Sequence, residues 1–370
     1  MFFAKSRKEF AADGKIIEMS DDTDTNLSKT GTSPPHAPDT HRAIAEGRVG
    51  VLVVNLGTPE AATPRAVKAY LREFLNDGRI VDLPRAVWLP VLHGVILNVR
   101  PAATARNYAK IWRTQSNESP LRYYTRQQSE ALASALKDVQ VDWAMRYGTP
   151  SIKSRLEEMK EQGCTRILVI PLYPQYSATT TASVTDAVFD AIKAMRWQPA
   201  LRIAPAFHDE PSYIAALAAV ARRHLSAENF SPEHVVISFH GLPQRYFDAG
   251  DPYYCHCAKT ARLLREAMGW TQDFAPLAFQ SKFGREKWLE PATDATIAEL
   301  AASGVKRVAV IMPGFVSDCI ETLEEIDIAA RETFMAAGGE TFTAIPCLND
   351  APEMKTLLAS LARRETAGWT

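Results

Sequence analysis

A chain of 370 residues, 46% apolar and 23% charged, can build two α/β domains or one large one around a substantial core. Its 42 lysines and arginines nearly cancel 43 aspartates and glutamates, so no global field favours nucleic acid or a polyanionic substrate. Five scattered cysteines are too few for a disulfide framework.

Residues 1–46 are polar and rich in Ser, Thr, Asp and Pro. They lack the apolar side chains that would offset ordering entropy and read as a disordered leader, too acidic for a transit peptide. Met1 to Ala4 is no secretory apolar segment, and no later run approaches the ~20 apolar residues of a membrane span. A cytoplasmic setting is the expectation, with peripheral contact on the inner face of the membrane as an option.

Order is predicted to begin with a buried strand over 49–55, VGVLVVN, closed by Leu56-Gly57-Thr58-Pro59. Thr58 can cap a helix with Pro59 at its first position. The glycine pattern of a dinucleotide site is missing. A helix is predicted over 64–76. The stretch from Leu83 to Leu97 is dense in large apolar residues but broken by Pro84, Pro90 and Gly94. It reads either as a core helix or as an exposed apolar lip for a flat ligand or a membrane surface, with Trp88 among the side chains that would enter it. Helices follow over 104–112 and 125–137, then a strand over 139–147 and a helix over 151–162 stopped by Gly163. Arg166 to Leu172 is another buried strand, leading to Tyr173-Pro174-Gln175-Tyr176-Ser177. Further helices are predicted over 181–195, 211–224 and 294–303.

At His234 the chain begins to repeat. VLVVNLG (51–57) aligns with VVISFHG (235–241), and GCTRILVIP (163–171) with GVKRVAVIMP (304–313). This self-similarity, with strand–helix alternation throughout, predicts an α/β protein of two Rossmann-like, doubly wound halves whose parallel sheets face a central cleft. The halves are drawn as 47–228, carrying the lip at 83–97, and 229–370, ending in a C-terminal helix.

The chemistry gathers in the second half. His240 ends a buried strand at a Gly-Leu-Pro turn, where α/β proteins place ligands, although a lone histidine can equally be structural. After the strand over 308–312, Ser317 or Asp318 offers a cap for a helix carrying Glu321, Glu324 and Glu325. At ordinary helical spacing Glu321 and Glu325 share a face and Glu324 lies off it. On a surface these would form a solvated acidic face; beside His240 in a cleft they supply a base, a proton path or a borderline metal site. Cys255-His256-Cys257 is a metal-like fragment without the four ligands of a structural site.

Together these stretches resemble the ferrochelatase family. The likeness is carried by Ser238-Phe239-His240-Gly241-Leu242-Pro243 and Gly250-Asp251-Pro252-Tyr253. It extends through Phe279-Gln280-Ser281-Lys282-Phe283-Gly284, Trp288-Leu289 and the run from Pro313 to Leu323. Val54 to Pro59 and Tyr173 to Ser177 match the first half, and the likeness covers about residues 48 to 350. It implies insertion of Fe²⁺ into protoporphyrin IX, both as substrates. It further implies catalytic and metal-handling roles for His240 and Glu321, with Glu325 alongside. Tyr108, Ser119, Arg146 and Trp288 would border the macrocycle, and the lip, with Leu89 and Leu92, would form the pocket mouth. Cys319 stands where some relatives have a histidine. Some relatives carry a [2Fe–2S] cluster, but the matching ligand position here is Ala178 and the tail offers only Cys347, so no cluster and no permanently bound cofactor are expected. Other readings are a chelatase for cobalt or coproporphyrin III, and a non-catalytic tetrapyrrole carrier.

Overall fold

The computed structural model describes residues 47–370, apart from Arg285. The leader expected over 1–46 lies outside the described residues.

Eight strands form two parallel four-stranded sheets with helices on their faces. The first contains β1 (Arg48–Gly57), β2 (Gln140–Tyr147), β3 (Cys164–Pro171) and β4 (Ala200–Ile203) in the order β2-β1-β3-β4. The second contains β5 (His234–His240), β6 (Leu277–Gln280), β7 (Arg307–Ile311) and β8 (Thr341–Ile345) in the order β6-β5-β7-β8. The two orders are the same, so β1 and β5 hold equivalent central places, as do β3 and β7. These are the pairs that align in sequence.

Continuous apolar runs make the central strands. Val49, Val51, Leu52, Val53 and Val54 are all buried, as parallel strands covered on both faces must be. One core joins the sheets: Val51 and Ile170 of the first and Ile237 and Ile311 of the second belong to the same buried cluster. Helices Pro211–Ala227 and Pro352–Glu365 contribute to it through Tyr213, Leu217, Leu357 and Leu361. The terminal helix also reaches the first sheet, where Arg202 of β4 donates to the Glu365 carbonyl at 2.6 Å. The described residues, from 47 onwards, belong to a single compact unit.

Three local expectations are corrected. The helix after β1 is capped by Thr63, whose hydroxyl accepts from Ala66 N, with Pro64 first in the helix; Thr58 is buried before it. Cys319, not Ser317 or Asp318, caps the acidic helix. The segment Tyr253–Met268, where Cys255-His256-Cys257 stood out, is a helix with Cys257 buried and Cys255 exposed. Of the two readings of the lip the exposed one holds rather than the core helix, and the segment starts one helix, Arg85–Ile111. Pro90 removes a backbone donor and crowds the preceding turn, and the chain continues through a wider π-turn at Leu92–Ile96. This helix is long and apolar enough, by length and composition, to cross a membrane, which the reading of isolated apolar runs missed. Most of it is exposed, with Leu92, Leu97, Ala105 and Tyr108 buried.

Candidate active site

β5 delivers His240 to the carboxyl edge of the second sheet, in register with Gln280 of β6. The next residue must be glycine: a Cβ on Gly241 would stand 2.7 Å from the Gln280 carbonyl and 3.1 Å from the Trp288 ring. The Gly241 carbonyl lies 2.6 Å from His240 Nδ1 and can only accept, so Nδ1 carries a proton and Nε2 is the ring nitrogen left for other partners. Tyr253 steadies the backbone there by donating its hydroxyl to the His240 carbonyl at 3.0 Å.

The acidic helix, 320–336, is not regular. Its middle, Leu323–Ala330, is π-helical. Bonds from i to i+5 widen each turn and change which side chains share a face. Glu321, Glu324 and Glu325 therefore all line one cavity with His240. The expectation that Glu324 lies off the face shared by Glu321 and Glu325 fails for this reason.

The cavity has a volume of about 470 Å³. Its opposite wall comes from the helix Arg85–Ile111, through Arg100, Ala103, Thr104 and Asn107. Ser281, Phe283, Leu71 and Ile320 complete the lining. Phe283 lies edge-on to Trp288 at 5.0 Å between centroids, and the Arg100 guanidinium sits 5.5 Å from the Phe283 ring.

Each carboxylate is held differently. Ser281, in the left-handed region at φ +68°, donates its hydroxyl to Glu325 Oε2 at 2.7 Å, a strained backbone that persists where it places a side chain. Gln280 donates to the Glu321 carbonyl at 2.8 Å and lies 3.4 Å from Glu325 Oε2. Lys110 pairs with Glu324 Oε1 at 2.8 Å. Burial raises the Glu325 carboxyl above its usual range; the Ser281 hydrogen bond and the facing His240 oppose this, and the Glu321 charge adds to it. Burial also raises the Tyr70 and Tyr108 phenols, with the Glu321 carboxylate contributing.

The structure thus brings His240, Glu321 and Glu325 together. Trp288 is buried against Gly241, behind the exposed Phe283. Tyr108 is buried with Val67 and Ala105, next to the lining residue Asn107. Ser119 caps the helix Pro120–Ala135, its hydroxyl accepting from Arg122 N at 3.2 Å. Arg146 is bound to Asp77 at 2.6 Å and to the Ser183 hydroxyl at 2.7 Å. Leu92 is buried on the lip helix and Leu89 half-buried. None of Tyr108, Ser119, Arg146, Trp288, Leu89 and Leu92 is on the cavity wall. Arg100, Ala103, Thr104 and Asn107 were missed. Their spacing of 0, 3, 4 and 7 marks one helical face, legible only if the helix is read through Pro101.

Comparison with known proteins gives the same picture. The sequence profile of the ferrochelatase family matches residues 48–366. A ferrochelatase of Agrobacterium fabrum is 54% identical over 335 residues, 90% of this chain and 97% of that protein. One of Rhizobium meliloti is 55% identical over 332 residues, 89% of this chain and 98% of that one. Among solved structures, SirB from Bacillus subtilis with Fe³⁺ aligns with a TM-score of 0.53 at 12% identity, over 87% of this chain and 96% of that chain. The latter likeness is one of fold. With profile, identity and coverage agreeing over nearly all the described residues, the chain belongs to the ferrochelatase family.

Proposed function

We propose that the protein inserts ferrous iron into protoporphyrin IX to form protohaem, in the cavity between His240 and the acidic helix. The observation that carries this reading is one imidazole sharing a cavity with three glutamates on a widened helical turn. Metallation removes two pyrrole protons and strips water from the metal. His240 Nε2, the ring nitrogen not bound to the Gly241 carbonyl, accepts a proton, and Glu325, raised in proton affinity, takes it onward. Glu321 and His240 present the metal without completing a cage. Among the described residues no group of three or more His, Cys, Asp or Glu side chains forms a metal site. Arg100, the cation on the cavity wall, is placed to pair with a propionate of the porphyrin. Phe283 supplies an apolar face for the ring, with Trp288 packed beside it.

Two finer readings accompany this one. The lip helix exposes Val87, Val91, Val95 and Val99, one every four residues, together with Leu83. This stripe would make weak, reversible contact with a bilayer surface. No iron–sulfur cluster is held. Ala178 stands where related clusters take a thiolate, and its amide donates to Asp251 at 2.7 Å. Cys164 is buried in β3 and Cys257 in the helix Tyr253–Met268, while Cys319 and Cys347 are buried in the loops before the acidic helix and after β8. Protein purified without oxygen should therefore lack stoichiometric acid-labile sulfide, and finding it would overturn this point.

The test of function is anaerobic incubation with Fe²⁺ and protoporphyrin IX, followed through haem absorbance. Turnover is expected. Porphyrin binding without metallation would make the protein a carrier, and a preference for coproporphyrin III or cobalt would reassign the substrate.

A further inference from the structure

Of the three carboxylates on the cavity wall, Glu325 is held by the Ser281 hydroxyl and the backbone of Glu321 by Gln280, all from one sheet edge. Glu324 is held by a cation from the opposite wall. Lys110 lies in the last turn of the helix Arg85–Ile111 and places Nζ 2.8 Å from Glu324 Oε1. The Glu324 side chain is 13% exposed and that of Lys110 48%, so the ammonium reaches inward from solvent to a largely enclosed carboxylate.

We infer that Lys110 is a positioning residue that withholds Glu324 from the metal; this rests on the ferrochelatase reading above. His240, Glu321 and Glu325 line the cavity together without forming a ready-made metal site. A fourth donor, the Glu324 carboxylate, would move the set towards the number that retaining sites use, and the ion would stay instead of passing to the porphyrin. Lys110 occupies one Glu324 oxygen and offsets its charge. Without it, three anions share one wall, and a divalent cation becomes the replacement counter-ion. The pair also ties the lip-bearing helix to the acidic helix, so the same contact fixes the width of the cavity.

The test compares K110M, K110R, E324Q and K110M/E324Q. Fe²⁺ is varied at fixed porphyrin, and Co²⁺ is titrated into porphyrin-free protein with visible absorbance reporting coordination. K110M is expected to lower the Fe²⁺ KM and kcat together and to bind Co²⁺ on the order of tenfold more tightly. K110R should keep the native Co²⁺ affinity, and K110M/E324Q should lose the added affinity. Native KM and Co²⁺ affinity in K110M would overturn the inference. So would tightening that survives in the double variant, or weakened binding in a poorly folded K110M. Failure of the native protein to metallate would refute the functional reading instead, while the Co²⁺ affinities still decide the role of Lys110.

Discussion

His240 donates Nδ1–H to the Gly241 carbonyl, which leaves Nε2 as the ring nitrogen available to a substrate proton. His240→Ala should therefore lower metallation by roughly 10²–10⁴-fold, the range of general-base catalysis, while far-ultraviolet dichroism and porphyrin binding stay near native. Turnover within a few-fold of native would exclude it as the base. Its placement was legible, because a histidine closing a buried strand before glycine can only sit at a sheet edge. The charge state of its neighbour was not. Glu325 has its affinity for protons raised by burial, and burial belongs to the assembled cavity. Between the ordinary carboxylate range and this raised one, the folded protein keeps a proton that the unfolded chain has released. Stability therefore falls as pH rises through that window, and the full penalty stands above it. Glu325→Gln removes the titration. By calorimetry it should melt about a few degrees higher than native at pH 8, converging towards pH 4, although turnover drops. A lower melting point for Glu325→Gln at pH 8 would contradict this.

The two elements that face each other across the cavity were the hardest to read. A heptad-like count puts Glu324 off the Glu321 face only if each residue advances the ordinary 100°. The π-helical middle breaks that assumption, and nothing in ETLEEIDIAA announces it. The lip was obscured by its prolines, which suggested interruption where the chain uses a π-turn to continue. Its exposed stripe leads to a membrane prediction with a changed probe. Trp88 was the natural choice from sequence, but its indole donates to the Leu75 carbonyl at 2.7 Å and anchors the helix, so Trp88→Glu would disturb structure as well as surface. The paired substitution Val91→Glu and Val95→Glu tests the surface alone. Burying the valine stripe gains about a few kcal/mol at roughly 25 cal/mol per Å². Liposome flotation should show partial binding that the double variant abolishes and that added salt hardly alters, since little positive charge flanks the stripe. Strongly salt-sensitive binding would place the contact on another surface.

At the scale of the whole molecule, the doubled architecture was visible because the central strands of each half carry the longest apolar runs. The four- and five-residue strands β4, β6 and β8 are too short to stand out from loops or buried helix segments. How the halves are joined was not visible, since besides the shared apolar core it uses single buried polar side chains. Gln128, on the helix that packs against the first sheet, is buried. Its amide nitrogen lies 2.8 Å from the Asn349 carbonyl, 2.9 Å from the Ser317 hydroxyl and 3.1 Å from the Val316 carbonyl. All three acceptors belong to the second half, and Val316 and Ser317 lie just before the acidic helix. Gln128→Leu keeps the volume but takes the donor from the Asn349 carbonyl and the Ser317 hydroxyl, while the Val316 carbonyl still accepts from Asn349 N, at a cost of about 1–3 kcal/mol. The melting point should fall by about a few degrees and, because the same loop leads into Glu321, kcat should drop well below the melting transition. Gln128→Glu should be at least as harmful, since a carboxylate facing two carbonyls can only repel them. An unchanged melting point in Gln128→Leu would mean that the shared apolar core alone holds the halves in register.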